Sequence, residues 1–328
     1  MSNAVTEMKL ADWALLVLLS VLWGGSFYFV ALALAEWPPL VIVAVRIVVA
    51  CIALLVFLKV TGIPLPREAA VWRAFLVMGI LNNVVPFLLI VWGQQSVASG
   101  LASVLNAATP IFSLLLGAWL LHDEQLTLHR VAGAGTGLIG VTILVGPSVY
   151  GGGNSLAGQL AILGAAFSYA MAGIYARRFA AMGVRPIVAA TGQLVMSSII
   201  VSSLVLFFDE PATLLAASAF TWLTVGAMAI VSRAFAYIIY FRLIESAGAT
   251  NALLVTLLIP VTAILLGTFS LGERLTLAEV AGIGVIAAGL VLIDGRVLRW
   301  RRRSSESLSV STTDGVKTDQ GATGKKGQ

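Results

Sequence analysis

Apolar stretches of bilayer length follow one another along almost the whole chain, at about residues 13–34, 40–59, 72–92, 97–121, 128–149, 156–180, 187–208, 218–242, 248–270 and 277–298. A hydrocarbon core about 30 Å thick needs roughly 20 apolar residues in helical form, and in lipid each backbone amide must find its partner within the segment. The pattern therefore predicts an all-α integral membrane protein of ten transmembrane helices and excludes an ordinary soluble enzyme. Composition agrees, since only 11% of the 328 residues are charged, against about 25% in soluble domains.

The loops between these stretches are short and carry Pro, Gly or charge. Their Lys and Arg residues fix orientation, because cytoplasmic loops retain positive charge. With both termini inside, the cytoplasmic side holds Lys9, Lys59, Arg67, Arg73, Arg130, Arg177, Arg178, Arg185, Arg242 and the run Arg296 to Arg303, whereas the other side holds Arg274. Residues 1–12 form a cytoplasmic N-terminus. The first stretch is too long for a signal-peptide core and lacks a cleavage site, so it stays attached. Residues 299–328 begin basic and continue rich in Ser, Thr, Gly and Lys without apolar periodicity, which predicts a disordered cytoplasmic tail.

Laying residues 96–117 over 246–267 reveals an internal repeat. Ser96 matches Ser246, Ala102 matches Ala252, Pro110 matches Pro260, and Gly117 matches Gly267. One residue out of step, Leu126, Thr127, Gly133, Gly135 and Gly140 match Leu275, Thr276, Gly282, Gly284 and Gly289. The repeats are 13–149 and 156–298. Each holds five spans, an odd number, so the second enters the membrane inverted relative to the first. Inverted repeats belong to secondary transporters, whose substrate site lies near the midplane between the halves.

Several other chemistries are excluded. The net charge of +5 is scattered between apolar runs, which does not make the basic face a nucleic-acid binder needs. Cys51 is the single cysteine, so neither a disulfide within the chain nor a cysteine metal cluster can form. Gly135-x-Gly137-x-x-Gly140 matches a dinucleotide fingerprint as text but lies inside an apolar span; Gly133, Gly137 and Gly140 read instead as a small-residue face for close helix packing, as do Gly282 and Gly289 in the matching helix. His122 and His129 bracket one loop and read as solvated interface residues rather than metal ligands. No catalytic residue, metal or cofactor is expected.

Three features carry a family resemblance: the Trp-Gly-Gly-Ser-Phe run at 23–27, Arg46 in the second span, and the twin Pro110 and Pro260 spans, each ending in Glu124 or Glu273 before Leu-Thr and a glycine-spaced helix. Over residues 12–298 the chain resembles the EamA-domain members of the drug/metabolite transporter superfamily, and among them the aromatic amino acid exporters. The resemblance implies an inner-membrane carrier exporting amino acids, related metabolites or toxic compounds. Residues 163–167, in the first span of the second repeat, lack a counterpart of Trp23.

Polar side chains in hydrocarbon normally face the bundle interior or a wet cavity. Ser99, Ser103, Asn106, Pro110 and Ser113 recur every three or four residues on one helix face, which makes either a cavity lining or interhelical glue. Asn82, Pro86 and Gly93 share a similar face, and Pro86 frees a carbonyl within the membrane or simply kinks its helix. Trp23, Ser26, Ser168, Tyr169, Tyr175, Gln193 and Ser197 are further lining candidates. Trp92, beside Gln94 and Gln95, reads as an interface anchor. Arg233, with Tyr237 and Tyr240 on one face, suits either a zwitterion carrying a flat side chain or a structural pairing with a neighbouring helix, whereas Arg46 is assigned a structural or gating role, as are Pro86, Pro110, Pro260, Gly117 and Gly267.

No acidic residue stands near the centre of a span, which leaves proton coupling without its usual carrier and points either to facilitated exchange or to coupling through another group, with the energy source left open. The reading is therefore a carrier that moves a small-molecule solute through a central cavity by alternating access, with membrane lipid as its other partner. A multidrug exporter is the alternative carrier, and a receptor or scaffold without flux the alternative of another class.

Overall fold

The computed structural model describes residues 8–120, 127–149, 155–209, 217–247, 249–252 and 254–294. The helices are α1 (Leu10–Ala33), α2 (Pro39–Thr61), α3 (Ala69–Gly79), α4 (Val85–Gly93), α5 (Ser99–Asn106), α6 (Thr109–Leu120) and α7 (Leu128–Val149). They continue as α8 (Leu156–Ala181), α9 (Pro186–Phe208), α10 (Ala219–Ala229), α11 (Ala236–Ala247), α12 (Ala249–Ala252), α13 (Val255–Leu271) and α14 (Leu277–Asp294). Two π-helical turns, π1 (Ile80–Val84) and π2 (Ile230–Phe235), join α3 to α4 and α10 to α11. No strand occurs among the described residues.

Seven helical segments are long and apolar enough to cross a membrane, and Ala219–Ser232, Val255–Leu271 and Leu277–Ile293 are shorter apolar helices. The boundaries follow local chemistry. Pro39 and Pro186 open α2 and α9, where a missing N–H is harmless and φ is already set. The left-handed Gly272, at φ 67°, ends α13, a conformation only glycine adopts cheaply.

Without a strong hydrophobic force between helices in lipid, close packing needs small residues. The α7–α14 seam is built this way. A Cβ on Gly133 would stand 2.7 Å from the Gly289 carbonyl oxygen, and one on Gly140 would stand 2.6 Å from the Ile286 nitrogen. The glycine motif at 135–140 thus belongs to a helix seam, with Gly135 itself facing open space.

The π-turns begin 150 residues apart, at the offset that relates Ser96 to Ser246. In π1 the Val85 N–H reaches back five residues to the Ile80 carbonyl. The next donor in that series would be residue 86, but proline has none. The Ser168 hydroxyl of α8 donates to the Leu81 carbonyl instead, at 2.7 Å. Pro110 creates the same deficit at the Asn106 carbonyl, which the Thr109 hydroxyl satisfies at 2.7 Å. The two proline spans nevertheless differ in detail. Pro110 lies at the start of α6, beyond the break at Ala107 and Ala108, whereas Pro260 sits inside the continuous α13.

Candidate functional site

A cavity of about 860 Å³ lies among α1, α2, α4, α5, α6, α8, α13 and α14. It extends from Gln94, beside the end of α4, to Arg130 and Ile293, where α7 begins and α14 finishes. The break between α5 and α6 faces it through Ala107 and Thr109, and the start of α13 faces it through Leu254 and Thr256. Irregular backbone at membrane depth is tolerated where it lines such a cavity.

The wall is mixed in character. Trp23 (α1), Phe87 (α4) and Tyr169 (α8) supply aromatic faces. Tyr240 stacks behind Trp23 with ring centroids 5.5 Å apart, and the Arg46 guanidinium lies 4.3 Å from the centre of the Phe87 ring. Among the described lining residues the charged ones are Arg46 and Arg130, and none is acidic. Arg46 is buried and Arg130 exposed.

Some polar atoms of this wall have no protein partner. The Gln94 side-chain nitrogen donates to the Phe27 carbonyl at 2.9 Å, which leaves Gln94 Oε1 buried without a donor. Asn106 Oδ1 and Ser232 Oγ are in the same condition, and all three residues line the cavity. Buried polar groups are almost always satisfied, so these unpaired atoms set the three residues apart from the rest of the wall.

Of the residues the sequence singles out, Trp23, Ser26, Asn82, Ser103, Asn106, Tyr169, Pro110 and Ser113 line the cavity. Ser99, Ser168, Tyr175, Gln193 and Tyr240 do not. Ser99 sits beneath Gly267 and Glu273 at one end of the bundle, and Ser168 is occupied by the Leu81 carbonyl. Tyr175 packs on Phe179 and under Arg178. Gln193 accepts from Asn82 at 3.0 Å, and Ser197 from Asn83 at 3.2 Å, so α9 is tied to π1 by hydrogen bonds from asparagine side chains. Arg233 and Tyr237 lie on π2 and α11, but their side chains are outside the described residues, as are His122, Glu124 and the tail 299–328.

Sequence reasoning missed Gln94 and Ser232 and gave Arg46 no place in the wall. Gln94 borders Trp92 at a helix end, where amphipathic residues usually anchor to the interface. The signal that could have found Ser232 was the repeat, since its π-turn corresponds to the one holding Asn82.

Two carboxylates reach between the halves of the chain to cap helix starts. Glu273 accepts the N–H groups of Ser99 at 2.7 Å and Gly100 at 3.1 Å, at the start of α5. Glu36 accepts the N–H and the hydroxyl of Ser218, each at 2.7 Å, at the start of α10. A carboxylate on exposed first-turn N–H groups is stabilised by both hydrogen bonds and the helix dipole. The Ser218 N–H, then its hydroxyl, hold the Glu36 carboxyl below the ordinary carboxylate range.

Comparison with known proteins agrees with this architecture. The model of the EamA-like transporter family matches residues 12–146 and again 156–294. The chain is 30% identical over 278 residues to a protein of Escherichia coli K12 named "Uncharacterized inner membrane transporter YedA", covering 84% of this chain and 88% of that one. It is 27% identical over 309 residues to the "Probable amino-acid metabolite efflux pump" of the same organism, covering 90% and 98%. A solved crystal structure, 20% identical, shares the fold with a TM-score of 0.59 over 87% of this chain and 98% of that one. With two matched segments that together span most of its length, the chain belongs to the EamA-like transporter family.

Proposed function

We propose that the protein is an inner-membrane carrier that exports amino acids or related small metabolites by alternating access. The observation that carries this reading is the central cavity, polar and aromatic together, which runs between the two halves of the chain from Gln94 to Arg130. The ten spans form two inverted five-helix repeats, and the π-turns at matched positions support that symmetry. With both termini cytoplasmic, as the arginine distribution predicts, the Arg130 end of the cavity lies toward the cytoplasm, the side from which an exporter loads. The naming of one relative as an amino-acid metabolite efflux pump points to the same solute class.

The test is counterflow of labelled amino acids, phenylalanine and tryptophan among them, into proteoliposomes with and without a pH gradient. Saturable exchange indifferent to the gradient is the expected result and identifies a facilitator. No exchange of any amino acid by folded protein overturns the assignment and favours drug export or a role without flux.

A further inference from the structure

The two ends of a side-chain amide are nearly alike in shape, so the groups bonded to it decide which end meets a solute. For Asn82, in π1, that choice traces back to the main chain. The Ser197 hydroxyl of α9 donates to the carbonyls of Gln193, at 2.6 Å, and Gly79, at 3.2 Å, and a carbonyl can only accept. With its one proton spent, Ser197 Oγ accepts from Asn83, so the Asn83 atom 3.2 Å away is the nitrogen. That nitrogen also donates to Gln193 at 3.4 Å, which fixes Oε1 there, and the same oxygen accepts from the Asn82 nitrogen at 3.0 Å. Asn82 is left with Oδ1 as its outer end.

Close packing holds this series of bonds in place. A Cβ on Gly79 would stand 2.8 Å from Ser197 Oγ and 2.9 Å from the Gln193 carbonyl oxygen, so α9 meets the π-turn without slack, and Asn83 and Ser197 are fully buried. Asn82 itself is half-buried and lines the cavity. Among the described residues nothing donates to its oxygen, which is not sealed from the cavity. Thr109 has the same polarity: its proton goes to the Asn106 carbonyl at 2.7 Å, so this half-buried lining residue also offers lone pairs. A solute with acceptors alone would set lone pairs against lone pairs there, whereas one with N–H donors is matched. Trp23 adds an aromatic face to the same wall, which attracts a cationic donor more than a neutral one.

We infer that Asn82 accepts a hydrogen bond from the amino group of the solute, and that Gln193, Asn83 and Ser197 are positioning residues that keep its oxygen turned outward without touching the solute. For flux this rests on the carrier reading above; for binding it stands alone.

The experiment separates the two. Dissociation constants of phenylalanine and of 3-phenylpropionate, which lacks the amino group, are measured on the detergent-solubilised full chain. Their ratio is followed through the variants, because a misfolded fraction lowers the binding capacity for both probes alike and leaves the ratio unmoved. The unaltered protein is expected to bind phenylalanine about tenfold more tightly or better, as a site built to hydrogen-bond a group rejects the analogue without it. Asn82→Leu is expected to remove most of that preference by weakening phenylalanine alone. Gln193→Met, which takes away the acceptor holding the Asn82 nitrogen, is expected to reduce it several-fold, whereas Gln193→Glu, which keeps an acceptor there, retains or widens it. Equal binding of the two probes to the unaltered protein overturns the inference, as does a ratio unchanged in Asn82→Leu or in Gln193→Met, or no binding of phenylalanine. A preference lost on these substitutions but unaccompanied by counterflow upholds the inference and removes the carrier reading; counterflow of phenylalanine with no preference for its amino group does the reverse.

Discussion

Glu273 Oε1 accepts the backbone N–H of Ser99 at 2.7 Å, so an acid from the second half of the chain caps a helix of the first. Two details make the reach possible. Gly272 turns the chain at positive φ, and Gly267 leaves room where a Cβ would crowd the Glu273 carboxylate. Hydrogen bonds to a charged group contribute about 1.5–3 kcal/mol each. Glu273→Gln keeps the shape but removes the charge, and is expected to shift the population about tenfold or more toward states open at this end. Labelling of a cysteine placed at Ser96, read as a rate, checks it; an unchanged rate refutes the latch.

Glu36 makes the second cap, and its response to pH has a definite sign. Its carboxyl is held low by the Ser218 N–H and hydroxyl, so the folded state binds this proton less readily than the unfolded one. The contribution is complete above the ordinary carboxylate range and disappears as pH falls through the lowered value. Melting temperature in detergent should fall with acidification in this range, and Glu36→Gln should flatten that part of the profile. An identical profile in the variant refutes the assignment.

The glycine seam offers a paired comparison. Gly289→Ala places a Cβ 2.6 Å from the Gly137 nitrogen, backbone that cannot move aside, and is expected to destabilise by about 1–3 kcal/mol. Gly135→Ala faces open space on the same helix as Gly137, so it should be neutral or stabilise by about 0.5–1 kcal/mol through helix propensity. Thermal unfolding of the two variants decides, and equal losses would refute the seam.

How far the sequence carried depends on what marks each feature. Helices written as long apolar runs, such as Pro39–Thr61, and the polar stripe Ser103–Asn106 were legible, because periodicity and hydropathy encode them directly. For the stripe's first member, Ser99, a helix face could not choose between lining and interhelical contact, because it says nothing of depth, and Ser99 lies at the bundle end where Glu273 arrives. Gln193 looked like lining for the same reason; its partner was a residue 111 positions away. The π-turns leave no compositional trace beyond Pro86.

That proline allows a double substitution. Ser168→Ala orphans the Leu81 carbonyl and should destabilise by about 1–3 kcal/mol. In a Pro86→Ala background the new N–H can take over, and the same substitution should do much less harm. A thermodynamic cycle on melting data gives the coupling; strict additivity would refute the compensation.

Asn106 presents the reverse case. Its Oδ1 already lacks a partner, so Asn106→Ala removes an unsatisfied group and should leave stability unchanged or slightly raised. Transport, measured by counterflow, should show a higher KM. A loss of stability with normal transport would assign Asn106 to packing.

The breadth of the cavity has its own consequence. At about 860 Å³ it stands near the roomy limit for small-molecule sites, roughly 300–1,000 Å³, with space for solutes of many sizes. In a chamber that large, discrimination falls to the few polar groups set in the wall and not to the room around them.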